Sequence, residues 1–223
     1  AGASGQPAPL FHFVRTRHGN IWRLHADLSA ASCRSLARLA AREAPLRGAG
    51  PPWPPPERTE SMLRVLGSEN SKRLLSRGPL YRFSMDALGS PEPEQGRFNL
   101  VSLTAQDPDG PSTLGPGFSS LVAGAHPNSP IVVAMVDDHA TSICFGASSG
   151  SDVGMEARVQ TLPGHRCFGL GRACLTAWAR AVTESGGIPL FSTEWENRAA
   201  CVLARKTGLA LYAESFSISF PPA

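Results

Sequence analysis

The sequence predicts an α+β fold for this chain of 223 residues, because three local patterns indicate both strands and helices. Two short apolar segments, residues 131–136 and 141–147, flank a polar turn and are typical of a β-hairpin. Residues 155–162 alternate like a strand, end at a glycine-rich turn and lead into helical spacing that reaches about residue 185. A hairpin beside a strand–turn–helix unit predicts a sheet with helices packed on it.

Residues 1–95 are predicted to form an N-terminal extension that is largely helical, and its role is left open. Apolar residues recur at helical spacing over residues 30–43 and again over residues 57–66. A proline-rich connection lies between these two segments. Short strands are also predicted, at residues 20–28 and 79–84.

A second domain is predicted over residues 96–223, after a segment rich in proline and glycine at residues 89–96. Beyond the hairpin and the strand–turn–helix unit it holds further predicted elements. These are a strand at residues 98–104, a strand at 188–193, a helix at 196–207 and a last extended segment at 209–220.

Charge and composition exclude several classes of function. The net charge is +3, from 21 basic and 18 acidic residues without a block of one sign, so a nucleic-acid partner is not expected. No apolar run approaches the length of about 20 residues that a membrane span requires. The cysteines form no CxxC pair and no metal-like cluster, which favours free thiols in a reducing cytoplasm and no bound metal. They are Cys33, Cys144, Cys167, Cys174 and Cys201.

The turn between the strand and the long helix has the composition of a phosphate-binding loop. Its centre is residues 166–173, Arg-Cys-Phe-Gly-Leu-Gly-Arg-Ala. The first turn of a helix has unpaired amide groups and the positive end of the helix dipole, so a diphosphate can bind there. Gly169 and Gly171 are expected to let a ligand approach the backbone. A dinucleotide fingerprint is disfavoured, because six residues separate the strand from Gly169 and Cys174 replaces the third glycine.

Two motifs in this region resemble those of the GNAT N-acetyltransferases. The pattern Arg166-x-x-Gly169-x-Gly171 is similar to the family's acyl-CoA pyrophosphate loop, (Q/R)-x-x-G-x-(G/A). About 30 residues later, Asn197 is similar to the asparagine that opens the helix of the family's second motif. The resemblance implies a mixed, mostly antiparallel sheet flanked by helices, and it covers roughly residues 98–220.

The same resemblance implies acetyl-CoA as the co-substrate and assigns residues to it. The edge of the strand at Val159 and Thr161 would pair with the pantetheine amides, and Asn197 would bond to the pantetheine arm. The pyrophosphate would lie on the loop formed by Arg166, Cys167, Phe168, Gly169, Leu170, Gly171, Arg172 and Ala173.

The implied reaction is direct transfer of an acetyl group from acetyl-CoA to a primary amine of a small molecule or peptide. Glu156 is the candidate base that the resemblance implies, because it lies on the strand about ten residues before the loop, close to where some relatives place a base. The family's frequent acid is a tyrosine where this chain has Ala204, and Tyr212 on the following strand is the candidate replacement. A non-catalytic acyl-CoA-binding or interaction module is the alternative, and the oligomeric state, including a homodimer, is left open.

Overall fold

The computed structural model describes most of the chain, in ten stretches. They are residues 8–47, 50–51, 53–67, 75–84, 88–89, 98–104, 107, 113–115, 117–147 and 153–219. The boundary expected between residues 95 and 96 lies outside these stretches.

Nine strands and four helices are named here in chain order. The strands are β1 (Phe11–Thr16), β2 (Asn20–Leu24), β3 (Leu75–Arg82), β4 (Asn99–Leu103), β5 (Ile131–Val136), β6 (His139–Ala147), β7 (Gly154–Thr161), β8 (Ile188–Ser192) and β9 (Ala210–Ile218). The helices are α1 (Ala30–Ala41), α2 (Thr59–Val65), α3 (Leu170–Glu184) and α4 (Arg198–Lys206).

The described residues fall into two compact units, each built from separate parts of the chain. The first unit takes residues 81–192 and 197–210, and the second takes residues up to 80, 193–196 and those from 211 onward. These units differ from the division expected at residue 95. The difference arises because β9, near the chain end, pairs with β1, near its start.

The first unit has the mixed, mostly antiparallel sheet that the sequence predicts. Strands β4, β5, β6 and β7 pair in that order and are antiparallel, and β8 then pairs with β7 in parallel. The predicted hairpin is β5–β6. Its turn residues Asp137 and Asp138 have φ angles of 48° and 61°, as a tight two-residue hairpin turn requires.

Helix α3 packs on this sheet through an apolar face with three- and four-residue spacing. Leu170, Ala173, Cys174 and Trp178 are among its buried residues. The helix ends where the sequence predicts, because Gly186 has a φ of 83° and leaves the helical conformation. Helix α3 is therefore packed against the sheet along its apolar face.

The second unit contains one strand, β1, that the sequence pattern did not predict. Its strand order is β2–β1–β9–β3, and β1 pairs with both neighbours in the antiparallel sense. Helices α1 and α2 pack against this sheet, in a core that includes Phe11, Phe13, Leu36, Met62 and Phe216. The first 95 residues thus supply the two predicted helices, the predicted strands β2 and β3, and the unpredicted strand β1.

Candidate functional site

Strands β7 and β8 separate part-way along their length. Their parallel ladder contains three residue pairs, and the last joins Glu156 to Leu190. Beyond that pair β7 continues to Thr161 and β8 to Ser192, within a stretch that is described without a gap from residue 153. On its other edge β7 stays paired with β6 as far as Thr161. We call the space between the carboxyl ends of the two strands the β7–β8 opening.

The two faces of β7 differ in polarity, as the alternating sequence predicts. Glu156, Arg158 and Gln160 are exposed, whereas Met155 and Ala157 are buried. Polar side chains therefore line one face of the strand beside the β7–β8 opening.

Glu156 is held at the base of the opening by a partner from the other strand. The Ser192 hydroxyl donates a hydrogen bond to Glu156 Oε1. Glu156 is exposed and Ser192 is partly buried, so the carboxylate is oriented and also open to solvent. Ser192 was not a candidate from the sequence, because nothing local shows that the end of β8 lies beside Glu156.

The loop between β7 and α3 leaves the start of the helix without a side-chain cap. Gly169 is the capping residue, with a φ of 84°, and Cys167 also has a positive φ, of 69°. The first turn contains no acidic residue, and the first helical hydrogen bond runs from Ala173 N to Gly169 O at 3.0 Å. The amides of residues 170–172 consequently have no acceptor within the helix, which is the arrangement that binds anions.

The two motif glycines have different structural roles. A Cβ at Gly171 would lie 3.1 Å from Thr161 Oγ1 and 3.5 Å from Val159 Cγ1, so this glycine lets α3 lie close to β7. A Cβ at Gly169 would meet nothing within 4 Å. The sequence predicts that both glycines admit a ligand. That role stays a prediction for both glycines, and at Gly171 the structure adds a close approach to the strand.

Hydrogen bonds fasten the loop to the end of β7. Arg166 Nε donates to Thr161 O at 3.2 Å, and the Thr161 and Ser142 hydroxyl groups lie 2.8 Å apart. Ser142 is fully buried and also donates to Gln160 O at 3.2 Å. Both the carbonyl and the hydroxyl group of Thr161 are therefore hydrogen-bonded, and they tie the start of the loop to the sheet.

Comparisons with known proteins agree on one fold. No protein-family model and no curated protein matches this sequence. Among solved structures, a GCN5-related N-acetyltransferase from Kribbella flavida is similar with a TM-score of 0.51 and 18% identity, over 73% of this chain and 65% of that one. A tandem GNAT protein from the clavulanic acid biosynthesis pathway gives 0.52 and 14%, over 91% and 74%. The fold is that of the GNAT N-acetyltransferases.

A Drosophila protein of known structure is also similar, with a TM-score of 0.53 and 16% identity over 72% of this chain. The chain spans 57% of the Drosophila protein and 65% of the Kribbella protein. At these identities the likeness to solved structures shows the fold alone. Activity and substrates are therefore argued from the residues of this chain.

Asn197, which the sequence predicts to open a helix, is the capping residue of α4. Its Oδ1 accepts a hydrogen bond from Ala200 N at 3.1 Å. Asn197 is exposed at the start of the helix. The prediction that Asn197 opens this helix is confirmed, and its bond to a pantetheine arm stays a prediction.

The structure offers a tyrosine that sequence reasoning missed. Ala204 is fully buried on α4, and Cys201, one turn earlier, forms a hydrogen bond with the Tyr81 hydroxyl. The Tyr81 ring lies 6.2 Å from the Phe191 ring, and burial, with Cys201 beside it, raises the pKa of Tyr81 to about 12. Tyr212 belongs to the second unit, whereas Glu156 belongs to the first. The role of Tyr212 as the acid stays a prediction.

The described part of the chain contains neither a metal-binding cluster nor a membrane-spanning helix. Across those stretches, no group of three or more His, Cys, Asp or Glu side chains is placed to hold a metal ion. Among the helices that are described, none is long and apolar enough to cross a bilayer.

The five cysteines are expected to differ sharply in reactivity. Burial raises the pKa of Cys174 to about 12, and burial, together with Cys174 nearby, raises the pKa of Cys144 well above its usual value. Thiolates are the reactive species, so both thiols should resist iodoacetamide in the folded protein at pH 7–9, whereas the exposed Cys167 should react.

Mass spectrometry of peptides after a timed reaction measures this difference. In guanidinium chloride all five cysteines should react, which serves as the control. Alkylation of Cys144 or Cys174 in the folded protein at the rate of Cys167 would contradict the prediction.

Proposed function

We propose that this chain is an N-acetyltransferase that transfers the acetyl group of acetyl-CoA to a primary amine. The observation that carries the proposal is the β7–β8 opening, which lies at the same end of the sheet as the uncapped start of α3. A free strand edge and an anion-binding helix start, joined by one short loop, match a ligand with amide groups and a diphosphate. Coenzyme A has both.

Coenzyme A would bind mainly to the backbone. The amides of residues 167–172 would hold the pyrophosphate, supported by the absence of an acidic side chain in the first turn of α3. The edge of β7 at Val159 and Thr161 would pair with the pantetheine amides as an added strand. Asn197 Oδ1 already accepts from Ala200 N, so its amide nitrogen is the group left to donate to the pantetheine arm.

The base that we propose lies on the polar face of β7. Bound acetyl-CoA supplies an acetyl group activated as a thioester. Glu156 would accept the proton of the attacking amine, and its hydrogen bond from Ser192 supports that role by fixing the carboxylate. The proton for the departing sulfur would come from a tyrosine: either Tyr212, as the sequence suggests, or Tyr81, which lies in the same unit as Glu156.

The acceptor we propose is a primary amine of a small molecule or peptide. A neutral amine can approach Glu156 because this carboxylate is exposed at the base of the opening. The alternative, a non-catalytic acyl-CoA-binding module, is favoured by Ala204, since this buried alanine provides no acid on α4. Acetyl-CoA binding without CoA release across a panel of primary amines would support that alternative.

Isothermal titration with acetyl-CoA tests the proposal, with Gly169→Val as the informative variant. Valine strains a backbone with a φ of 84° and adds a side chain where Gly169 leaves the loop open. Losing one or two backbone hydrogen bonds to a charged ligand should raise the Kd at least about tenfold.

Gly186→Val is the matched control, because Gly186 has a φ of 83° at the opposite end of the same helix and nothing within 4 Å of its Cβ position. It should lower stability by a similar amount and leave the Kd unchanged. Absence of acetyl-CoA binding by the wild type, or equal Kd values for both variants, would contradict the proposal.

A further inference from the structure

Phe168 is exposed in a way that no other phenylalanine of the described chain is. Its exposed fraction is 66%, the highest among the exposed large hydrophobic residues. The buried phenylalanines are Phe11, Phe13, Phe118, Phe145, Phe191 and Phe216. Burying an apolar ring of this size is favourable, so a ligand with a flat face that covered it would gain binding free energy.

The place of Phe168 in the chain puts it at the start of the long helix. Phe168 lies between Cys167 and Gly169, which both have left-handed backbone conformations, and it immediately precedes the uncapped start of α3. The loop is anchored to β7 through the bond from Arg166 to Thr161 O. The backbone therefore places an aromatic residue directly before the amides that would bind a diphosphate.

We propose that the Phe168 ring stacks on the adenine of acetyl-CoA and makes this chain select acyl donors that carry adenosine. The inference rests on the proposed function. In coenzyme A one ribose connects the pyrophosphate to the adenine. A base attached so near to the amides of residues 167–172 lies within reach of the ring, and bases stack on aromatic side chains through their flat faces.

The stack has a consequence for the donor class. An acetyl group on the 4′-phosphopantetheine arm of a carrier protein has no adenine, so it gains nothing from Phe168. Free acetyl-CoA gains the whole contribution. Phe168 therefore acts as a specificity residue for the coenzyme, separate from the backbone groups that hold its phosphates.

The experiment compares two ligands with wild type, Phe168→Ser and Phe168→Trp by isothermal titration. The ligands are adenosine 3′,5′-bisphosphate, which contains the base, and inorganic pyrophosphate, which does not. Phe168→Ser should raise the Kd for the bisphosphate roughly 5- to 100-fold and leave the Kd for pyrophosphate unchanged. Phe168→Trp, which keeps an aromatic face, should bind the bisphosphate at least as tightly as the wild type.

Ile21→Ser is the control for removing an exposed apolar side chain, since Ile21 is 63% exposed and lies in the other unit. It should leave both affinities unchanged. Equal bisphosphate affinity of wild type and Phe168→Ser overturns the role of Phe168. An equal loss for pyrophosphate also overturns it, because the effect would then lie in the loop backbone. Failure of wild type to bind acetyl-CoA contradicts the proposed function itself.

Discussion

Replacing Glu214 by alanine is expected to lower the free energy of unfolding by about 3–5 kcal/mol, because it leaves a buried arginine without its counter-charge. Glu214 is fully buried on β9, and its Oε2 lies 2.5 Å from Arg15 Nη2. Its Oε1 accepts a hydrogen bond from Trp195 Nε1 at 2.9 Å and lies 3.4 Å from Arg77 Nε. One carboxylate therefore serves three donors.

The magnitude follows from what the substitution leaves behind. Arg15 is only 5% exposed, and among the described residues its Nε has no hydrogen-bond partner. Without Glu214 the guanidinium would keep one bond, from Nη2 to Pro54 O at 2.5 Å. A charge in a poorly solvated site with a single partner costs several kcal/mol, which is a large part of the stability of an ordinary domain.

Urea unfolding followed by circular dichroism measures this loss. Glu57→Ala is the control: its side chain is 75% exposed and lies 3.9 Å from Arg58 Nη1, so its removal should cost less than about 1 kcal/mol. Glu214→Gln, which keeps an acceptor for Trp195, should fall between the two variants. A loss below about 1 kcal/mol for Glu214→Ala would show that Arg15 finds another partner.

Sequence patterns predicted the parts of this fold that depend on near neighbours in the chain. Helix α3 follows from apolar residues at helical spacing that end at Gly186, and the β5–β6 hairpin follows from two apolar runs around Asp137 and Asp138. Asn197 was expected to open α4 and does so by capping it. Each of these features is decided within one or two turns of backbone, where periodicity and turn chemistry act.

The missed features depend on residues far apart in the chain. Strand β1 was not predicted. It is stabilised by pairing with β9 some 200 positions later, as in the bond between His12 Nδ1 and Ser217 Oγ. It also carries Arg15, a residue whose burial makes sense only once Glu214 is known to lie opposite.

The contacts in the candidate site that the sequence did not predict also join residues far apart in the chain. The sequence suggested Glu156, but its partner Ser192 becomes visible only when β8 lies beside β7. That Gly171 admits a ligand stays a prediction, whereas its close approach to Thr161 becomes visible only when α3 lies over β7. Contacts of this kind are set by tertiary packing, so a local pattern can propose a residue without showing what it touches.

Replacing Glu156 by glutamine is expected to reduce kcat/KM for an accepted amine by about 10²- to 10⁴-fold, the usual contribution of a positioned general base. Glutamine keeps the size of the side chain and an oxygen that can accept the hydrogen bond from the Ser192 hydroxyl. It cannot take up the proton of the amine. The Kd for acetyl-CoA should not change, because the coenzyme would bind to backbone amides and to the edge of β7.

Gln160→Ala is the control, since Gln160 lies on the same exposed face of β7 four residues further along. It should alter turnover by no more than about threefold, as is usual for a surface substitution away from bonded groups. CoA release measured with a thiol reagent, together with titration of acetyl-CoA, separates chemistry from binding. Turnover by Glu156→Gln equal to that of the wild type would assign the base to another residue, and a matching rise in the Kd for acetyl-CoA would make Glu156 a binding group instead.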